Sequence, residues 1–350
     1  MKYWNNNLKN MSEYIPGEQP LNMDDVIKLN TNENPFPPSK QVLESMKDAC
    51  NSSLRRYPDS TAKDVRALFA SMNNLDPDNV FVANGSDEIF SLLFRGFIND
   101  DGLAAFPYPS YSLYYTQAEL NRVNFECVEL DDDFSYNLDN FLKKKYDLTL
   151  ISNPNNPTGT YCPVPDIRAF LKSYRGLLVV DEAYIDFYDG SAIELVKEYD
   201  NVIVTRSFSK SYSLAGLRVG LAISHRDNIR GFMKIKDSYN IDMVAMAGAR
   251  AALLDDRGFR YNLQMVINNK EYLEERLSAM GFNTVPSRAN FIFTRHPDVT
   301  AETLYNRLKE KNILVRYFGT RRTSEYIRIS VGTMLEIKAL CSELEAITEA

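Results

Sequence analysis

The sequence predicts an α/β fold, with a largely parallel sheet covered by helices on both faces and a smaller α+β unit after it. Three observations carry this. Short β-branched runs without polar alternation recur as far as about residue 224, as strands buried on both faces require. Helical patterns stand between them, the order that builds parallel pairing. Beyond about residue 285 the order changes to strand, helix, two strands and a final helix.

Residues 1–27 mix Asn, Pro, Gly and acids and read as an irregular arm. "VFVA" (80–83) reads as a strand and precedes the helix-like "SDEIFSLLFRGFI"; "LAAF" (103–106) precedes "SYSLYYTQAEL". "YDLTLIS" (146–152) runs into a Pro-rich turn and a helical segment over 165–174. "LLVV" (177–180), "VIVTR" (202–206) and "VGLAIS" (219–224) complete this strand series. From about 226 to 285 the pattern is helical, including "NLQMVINNKEYLEERLSAM". "NFIFTR" (290–295), a helix over 301–311, "ILVRYF" (313–318), "YIRISV" (326–331) and a helix over 334–348 make the smaller unit. The runs "DDD" (131–133) and "KKK" (143–145) read as solvated patches.

The chain has 350 residues, 44% hydrophobic and 25% charged, which suits two domains with a large core. A net charge of −7 argues against nucleic acid as the main partner, so any anion needs a local basic site. "MKYWNNNLKN" lacks the apolar core of a signal peptide, and no apolar run is long enough to span a bilayer. Four cysteines without C-x-x-C spacing read as reduced thiols of a cytosolic protein. With only two histidines, His225 and His296, a histidine zinc site or a Ser-His-Asp triad is disfavoured. There is no G-x-S-x-G, P-loop or G-x-G-x-x-G.

In open α/β sheets ligands bind beyond the carboxyl ends of the strands, and the unusual residues of this chain follow its strand-like runs. After 80–83 comes "NGSDE", where Ser86 and Asp87 open a helix; the segment is either a plain N-cap or an anion site made by unpaired backbone N–H groups. After 146–152 comes "NPNNPTG", a turn from which Asn156 can present its amide. After 177–180 comes "DEAY". Neighbouring residues of an extended strand face opposite ways, so Asp181 and Glu182 are not an acid–base couple, and one inward carboxylate fits a single cationic partner. After 202–206 comes "SFSKSYSLAGLR". Read alone this is a surface lysine in a serine-rich loop; alternatively Ser207, Ser209 and Arg218 make a receptor for a phosphate dianion, and Lys210 beside them would have its ammonium form disfavoured, as a nucleophilic amine needs. A phosphate site, an amine for a Schiff base and one carboxylate for a protonated ring nitrogen are the needs of pyridoxal 5′-phosphate. Asn156 and Tyr184 can hydrogen-bond its phenolic oxygen, and Tyr111 in "FPYPSYSLYY" can lie on its ring.

On these motifs, joined by "YIPGEQP" (14–20), "KLNTNENPFPPS" (28–39), "RYPD" (56–59), "RYF" (316–318) and "RISVG" (328–332) in the same order, the chain resembles the fold-type I aminotransferases of the aspartate aminotransferase superfamily. Within them it is similar to the histidinol-phosphate aminotransferases, over essentially its whole length. The resemblance implies a mostly parallel seven-stranded sheet in a large domain over 28–245, a small domain over 246–350 and an arm over 1–27 that packs with the small domain or a partner subunit. It implies Lys210 as the cofactor-bearing lysine and proton shuttle, Asp181 at the ring nitrogen, Asn156 and Tyr184 at the phenolic oxygen, and Tyr111 on the ring. Ser86, Asp87, Ser207, Ser209 and Arg218 would surround the phosphate. Tyr57 would reach the partner subunit's cofactor, in a homodimer with shared active sites. Arg328 would receive the substrate's anionic group in both half-reactions, with Tyr14, Arg316 and Arg322 as further anchors for a substrate phosphate. The pattern departs from its relatives at Arg321, Ser211 and Tyr212.

The implied activity is transamination of imidazole-acetol phosphate with glutamate in histidine biosynthesis. An aromatic amino-acid aminotransferase is the nearest alternative, and a decarboxylase of a phosphorylated amino acid shares most motifs. A ligand-sensing regulator would carry a DNA-binding module, for which the arm is short and the chain acidic.

Overall fold

A computed structural model describes residues 3–4, 8–9, 11, 17–20 and 25–349. The strands among them run, in chain order, β1 (Ile27–Lys28), β2 (Val80–Ala83), β3 (Leu103–Tyr108), β4 (Asn124–Glu129), β5 (Leu148–Ser152), β6 (Leu177–Asp181), β7 (Val202–Ser207), β8 (Gly220–Ser224), β9 (Asn283–Val285), β10 (Phe291–Arg295), β11 (Ile313–Leu314), β12 (Arg316–Tyr317) and β13 (Ile327–Ser330). The large sheet has seven strands in the order β2-β8-β7-β6-β5-β3-β4. Its pairings are parallel except at β8, which is antiparallel to both β2 and β7.

The apolar runs explain this sheet. Alternate residues of one strand enter opposite cores: Val202 and Val204 pack in one, Ile203 in the other, and Leu178 and Val180 are likewise split from Val179. A polar residue at any of these sites would face a helix layer, so the run reads as unbroken hydrophobicity. The C-terminal unit has a third core, built on Phe291, Ile329, Leu304 and Leu340, around the antiparallel sheet β12-β13-β10-β9. The β1 strand pairs with β11, so the chain just before residue 30 belongs with this unit. The helix Met243–Leu254 runs unbroken through residues 245 and 246, and its Ala245, Ala249 and Leu253 lie in a core of the large sheet.

The topology brings unlike chain segments to one rim. Ser152 lies beside Asp181 and Asp181 beside Thr205, while Gly220 pairs with both Ser207 and Ala83. The carboxyl ends of β5, β6 and β7 therefore meet the end of β2 and the start of β8.

Behind this rim, Glu182 turns away from Asp181 as strand geometry demands. Its buried carboxylate accepts from Arg206 Nη1 (2.9 Å), Ser191 Oγ (2.6 Å) and the Ala192 backbone N–H (2.5 Å). Arg206 also donates to Asp186, whose other oxygen accepts from Ser211 Oγ at 2.5 Å. Removing one member leaves a charge buried without its counterpart. Glu182→Ala is therefore expected to destabilise the fold by about 3–5 kcal/mol, read as a lower denaturation midpoint at unchanged slope.

Candidate active site

A cavity of about 800 Å³ opens between the rim of the large sheet and the segment 316–323 of the small unit. Most of the residues singled out in the sequence line it.

Asp181, the last residue of β6, is buried. Its Oδ2 accepts from the Tyr114 hydroxyl at 2.5 Å; its Oδ1 accepts from Thr205 Oγ1 (2.9 Å) and the Ala183 backbone N–H (3.2 Å). All three donors are neutral. Burial pushes the carboxyl pKa up, and these hydrogen bonds pull it back. A buried carboxylate that lines a cavity and has no cation among its donors fits the protonated ring nitrogen of pyridoxal phosphate.

Lys210 follows β7. Its Nζ donates to the Thr31 carbonyl at 3.1 Å and lies 5.8 Å from the centre of the Tyr184 ring. Burial of the amine lowers its pKa to about 8, with the Arg328 and Arg218 cations acting the same way and Glu33 and Asp87 opposing. A substantial share of this amine is thus neutral near physiological pH.

The phosphate end is built on close backbone approach. Arg218 donates from Nη1 to Ser209 Oγ (3.3 Å) and from Nη2 to Asp87 Oδ2 (3.0 Å). Gly85 opens the helix Gly85–Gly96 at φ +76°, and a Cβ there would stand 2.5 Å from Arg218 Nη2. A Cβ on Gly220 would lie 2.6 Å from Ser86 N. Both glycines are required for the helix start, with its unspent N–H groups, to sit against the guanidinium. Ser86, Asp87, Ser207, Ser209 and Arg218 all line this end, and Ser207 Oγ accepts from the Ser209 N–H at 3.1 Å. This cradle suits a phosphate dianion.

At the opposite wall Arg328, on β13, is buried. Its Nη1 donates to Asn156 Oδ1 (2.5 Å) and its Nη2 to the Asn30 carbonyl (2.8 Å). Arg316 is its register partner on β12, so two guanidinium groups come from directly opposed positions of adjacent strands, beside the ring of Phe318. Tyr184 accepts from Asn32 Nδ2 at 3.1 Å, and Tyr111 stands edge-on to Tyr114.

One expected substrate anchor, Arg322, lies elsewhere, and Tyr57, expected at the partner's cofactor, is on the surface. Arg322 points away from the cavity: it pairs with Glu129 at 3.1 Å and donates to the Leu130 and Asp131 carbonyls, so it ties its loop to the end of β4. Tyr57 is exposed and stacks on Tyr239 at 4.3 Å, outside the cavity lining. Tyr14 lies outside the described residues. Arg321 also pairs with Glu129, and its carbonyl accepts from the Tyr108 hydroxyl at 2.9 Å.

Sequence reasoning assigned no role to Glu33 or Tyr114. Glu33 lines the cavity with its carboxylate on Lys28 and Thr31. Its signal was the motif "NTNENP", which carries no chemistry until folding brings it to Lys210.

The model of the aminotransferase class I and II family matches residues 24–344. A histidinol-phosphate aminotransferase of Clostridium beijerinckii is 41% identical over 350 residues, covering 99% of this chain and 97% of that protein. One of Pseudomonas putida is 42% identical over 347 residues, covering 98% and 99%. Among solved structures, the histidinol-phosphate aminotransferase from Sinorhizobium meliloti in complex with pyridoxal-5′-phosphate superposes with a TM-score of 0.92 at 23% identity, covering 100% of this chain and 98% of that one.

Proposed function

The chain belongs to the aminotransferase class I and II family, and from that premise we propose that it exchanges amino groups between L-histidinol phosphate and 2-oxoglutarate. The reaction serves histidine biosynthesis and uses pyridoxal 5′-phosphate. The observation that carries this reading is the half-buried Lys210 amine, with a pKa lowered to about 8, in one cavity with Asp181, Arg218 and Arg328.

Bound there, the cofactor supplies an electron-withdrawing ring that accepts the charge left when a substrate α-proton departs. The chain's residues do the rest. Arg218, Ser207, Ser209 and the N–H groups opening the helix Gly85–Gly96 hold the phosphate. Asp181 would accept a hydrogen bond from the ring N–H, and its charge would keep that nitrogen protonated. Asn156 and Tyr184, which line the cavity, would hydrogen-bond the phenolic oxygen, and Tyr111 would pack on the ring. Lys210 Nζ would take the proton from the substrate carbon that carries the amino group, hold it as an ammonium, and give it back when the amino group is transferred. Arg328 grips the anionic group of either substrate, since a guanidinium takes a carboxylate or a phosphate with the same fork. Arg316, across from it, supports recognition of the second charge of a phosphate.

An aromatic amino-acid substrate is the second reading, favoured by Tyr108, Tyr111, Tyr115 and Phe318 in the cavity lining. Parallel kinetics with histidinol phosphate, tyrosine and phenylalanine discriminate. Charge-assisted contacts to the phosphate are expected to favour histidinol phosphate by about 10- to 100-fold in kcat/KM. Faster turnover of tyrosine or phenylalanine would reverse the assignment.

The exposed aromatic pair Tyr57 and Tyr239, with exposed Leu54 nearby in sequence, supports a homodimer in which Tyr57 approaches the partner's cofactor. Sedimentation at twice 40.1 kDa is the expected result. The four free cysteines, Cys50, Cys127, Cys162 and Cys341, support work in the reducing cytoplasm.

A further inference from the structure

We propose that Tyr114 is a positioning residue for the cofactor ring: its hydroxyl holds the Asp181 carboxylate while its ring braces Tyr111, so one buried side chain aims both groups. The inference rests on the pyridoxal phosphate reading above and concerns a residue outside the cavity lining.

The geometry is asymmetric. Asp181 Oδ1 has two donors, Thr205 Oγ1 and the Ala183 N–H, both on neighbouring backbone elements of the sheet rim. Oδ2 has one, the Tyr114 hydroxyl at 2.5 Å. Among the described residues, rotation of the carboxylate about its Cβ–Cγ bond is therefore resisted from the second side by this phenol.

Tyr114 is itself fixed. It has no exposed surface, meets Phe90 in an edge contact at 5.1 Å and 80°, and lies 6.1 Å from Phe106. Tyr111 stands edge-on to it at 5.4 Å and 84°. Burial, and then the Asp181 charge, keep the phenol protonated far above its ordinary range, so it acts only as a donor to the acid.

The bland alternative is a core tyrosine whose hydroxyl needed any acceptor. A backbone carbonyl would serve that purpose, as the Ser152 carbonyl does for buried Tyr136. Tyr114 instead spends its proton on an anionic side chain that lines the cavity. A hydrogen bond to a charged group is worth more than a neutral one, and its loss leaves the carboxylate less stable as an anion and less fixed in direction.

The test is equilibrium dialysis of the full apo chain and of Tyr114→Phe. The two probes are pyridoxal phosphate and an analogue whose ring nitrogen is replaced by carbon. The substitution keeps the ring that braces Tyr111 and removes the donor. It is expected to weaken pyridoxal phosphate about tenfold and the analogue less than about twofold, because the analogue makes no demand on Asp181. Equal losses for both ligands would mean a structural role and overturn the inference, as would no loss for either. Failure of the native chain to bind pyridoxal phosphate would instead overturn the cofactor reading. Thermal melting of the apo proteins checks folding. If Tyr114→Phe does not fold, 3-fluorotyrosine at position 114, a stronger donor, is expected to raise the preference for pyridoxal phosphate over the analogue, and an unchanged preference overturns the proposal.

Discussion

Replacing Lys210 with alanine is expected to lower transamination by at least about 10⁴-fold, since the substitution removes both the nucleophile and the proton carrier. The magnitude follows from the absence of a stand-in. Near the amine, the charged groups that influence it are the guanidinium groups of Arg328 and Arg218 and the carboxylates of Glu33 and Asp87. A guanidinium cannot accept a proton, and Glu33 is engaged by Lys28 and Thr31. Phosphate grip should survive, because Arg218 and Ser209 keep their mutual hydrogen bond. The same environment sets a pH dependence. A neutral amine is the reactive form, and it accumulates as pH rises through its pKa. Capture of a small aldehyde by the apo chain should therefore rise through pH of about 8, well below an ordinary lysine's range. Glu33→Gln should move that midpoint lower, since the lost carboxylate stabilised the ammonium form. A midpoint near that of free lysine, or Lys210→Ala keeping more than about 1% of turnover, would contradict this account.

The parts of the fold legible in the sequence are those where one physical requirement acts alone. Strands buried on both faces are apolar along most of their length, so "VFVA", "LLVV" and "VIVTR" coincide with β2, β6 and β7 to within a residue or so. The edge strand β4, "NFECVE", escaped because none of its residues is fully buried and Asn124, Glu126 and Glu129 interrupt the apolar run. The rim residues Asp181, Lys210 and Arg218 were legible because each follows a strand and is chemically odd there.

What stayed hidden depends on distance in sequence. Tyr114 reads as one more aromatic of the helix-like "SYSLYYTQAEL", and only the fold brings it to Asp181, 67 positions on. Arg322 looks like one more cation in an arginine-rich loop. Its destination depends on Glu129 and two carbonyls at the end of the strand the sequence concealed. A guanidinium with that many acceptors has little left to offer a substrate.

Arg328 stands in the opposite position, and its loss should cost both half-reactions. Arg328→Leu is expected to reduce kcat/KM about 10²- to 10³-fold for glutamate and for histidinol phosphate alike, as removal of a buried charged hydrogen-bonding group does. Two of its bonds go to Asn156 and to the Asn30 carbonyl, which aim the fork into the cavity. Arg328→Lys should recover only part of the activity, because an ammonium cannot keep both protein partners and still meet two anionic oxygens. Arg316→Leu offers the contrast. Its guanidinium lies over Phe318 and across from Arg328, a second cation that a phosphate dianion can use. Its loss should weaken histidinol phosphate by more than it weakens glutamate. Steady-state kinetics of the three variants on both substrates, with melting curves to exclude misfolding, measure this directly. If Arg328→Leu impairs one substrate and spares the other, the two anions are read by different arginines, and the shared-anchor account fails.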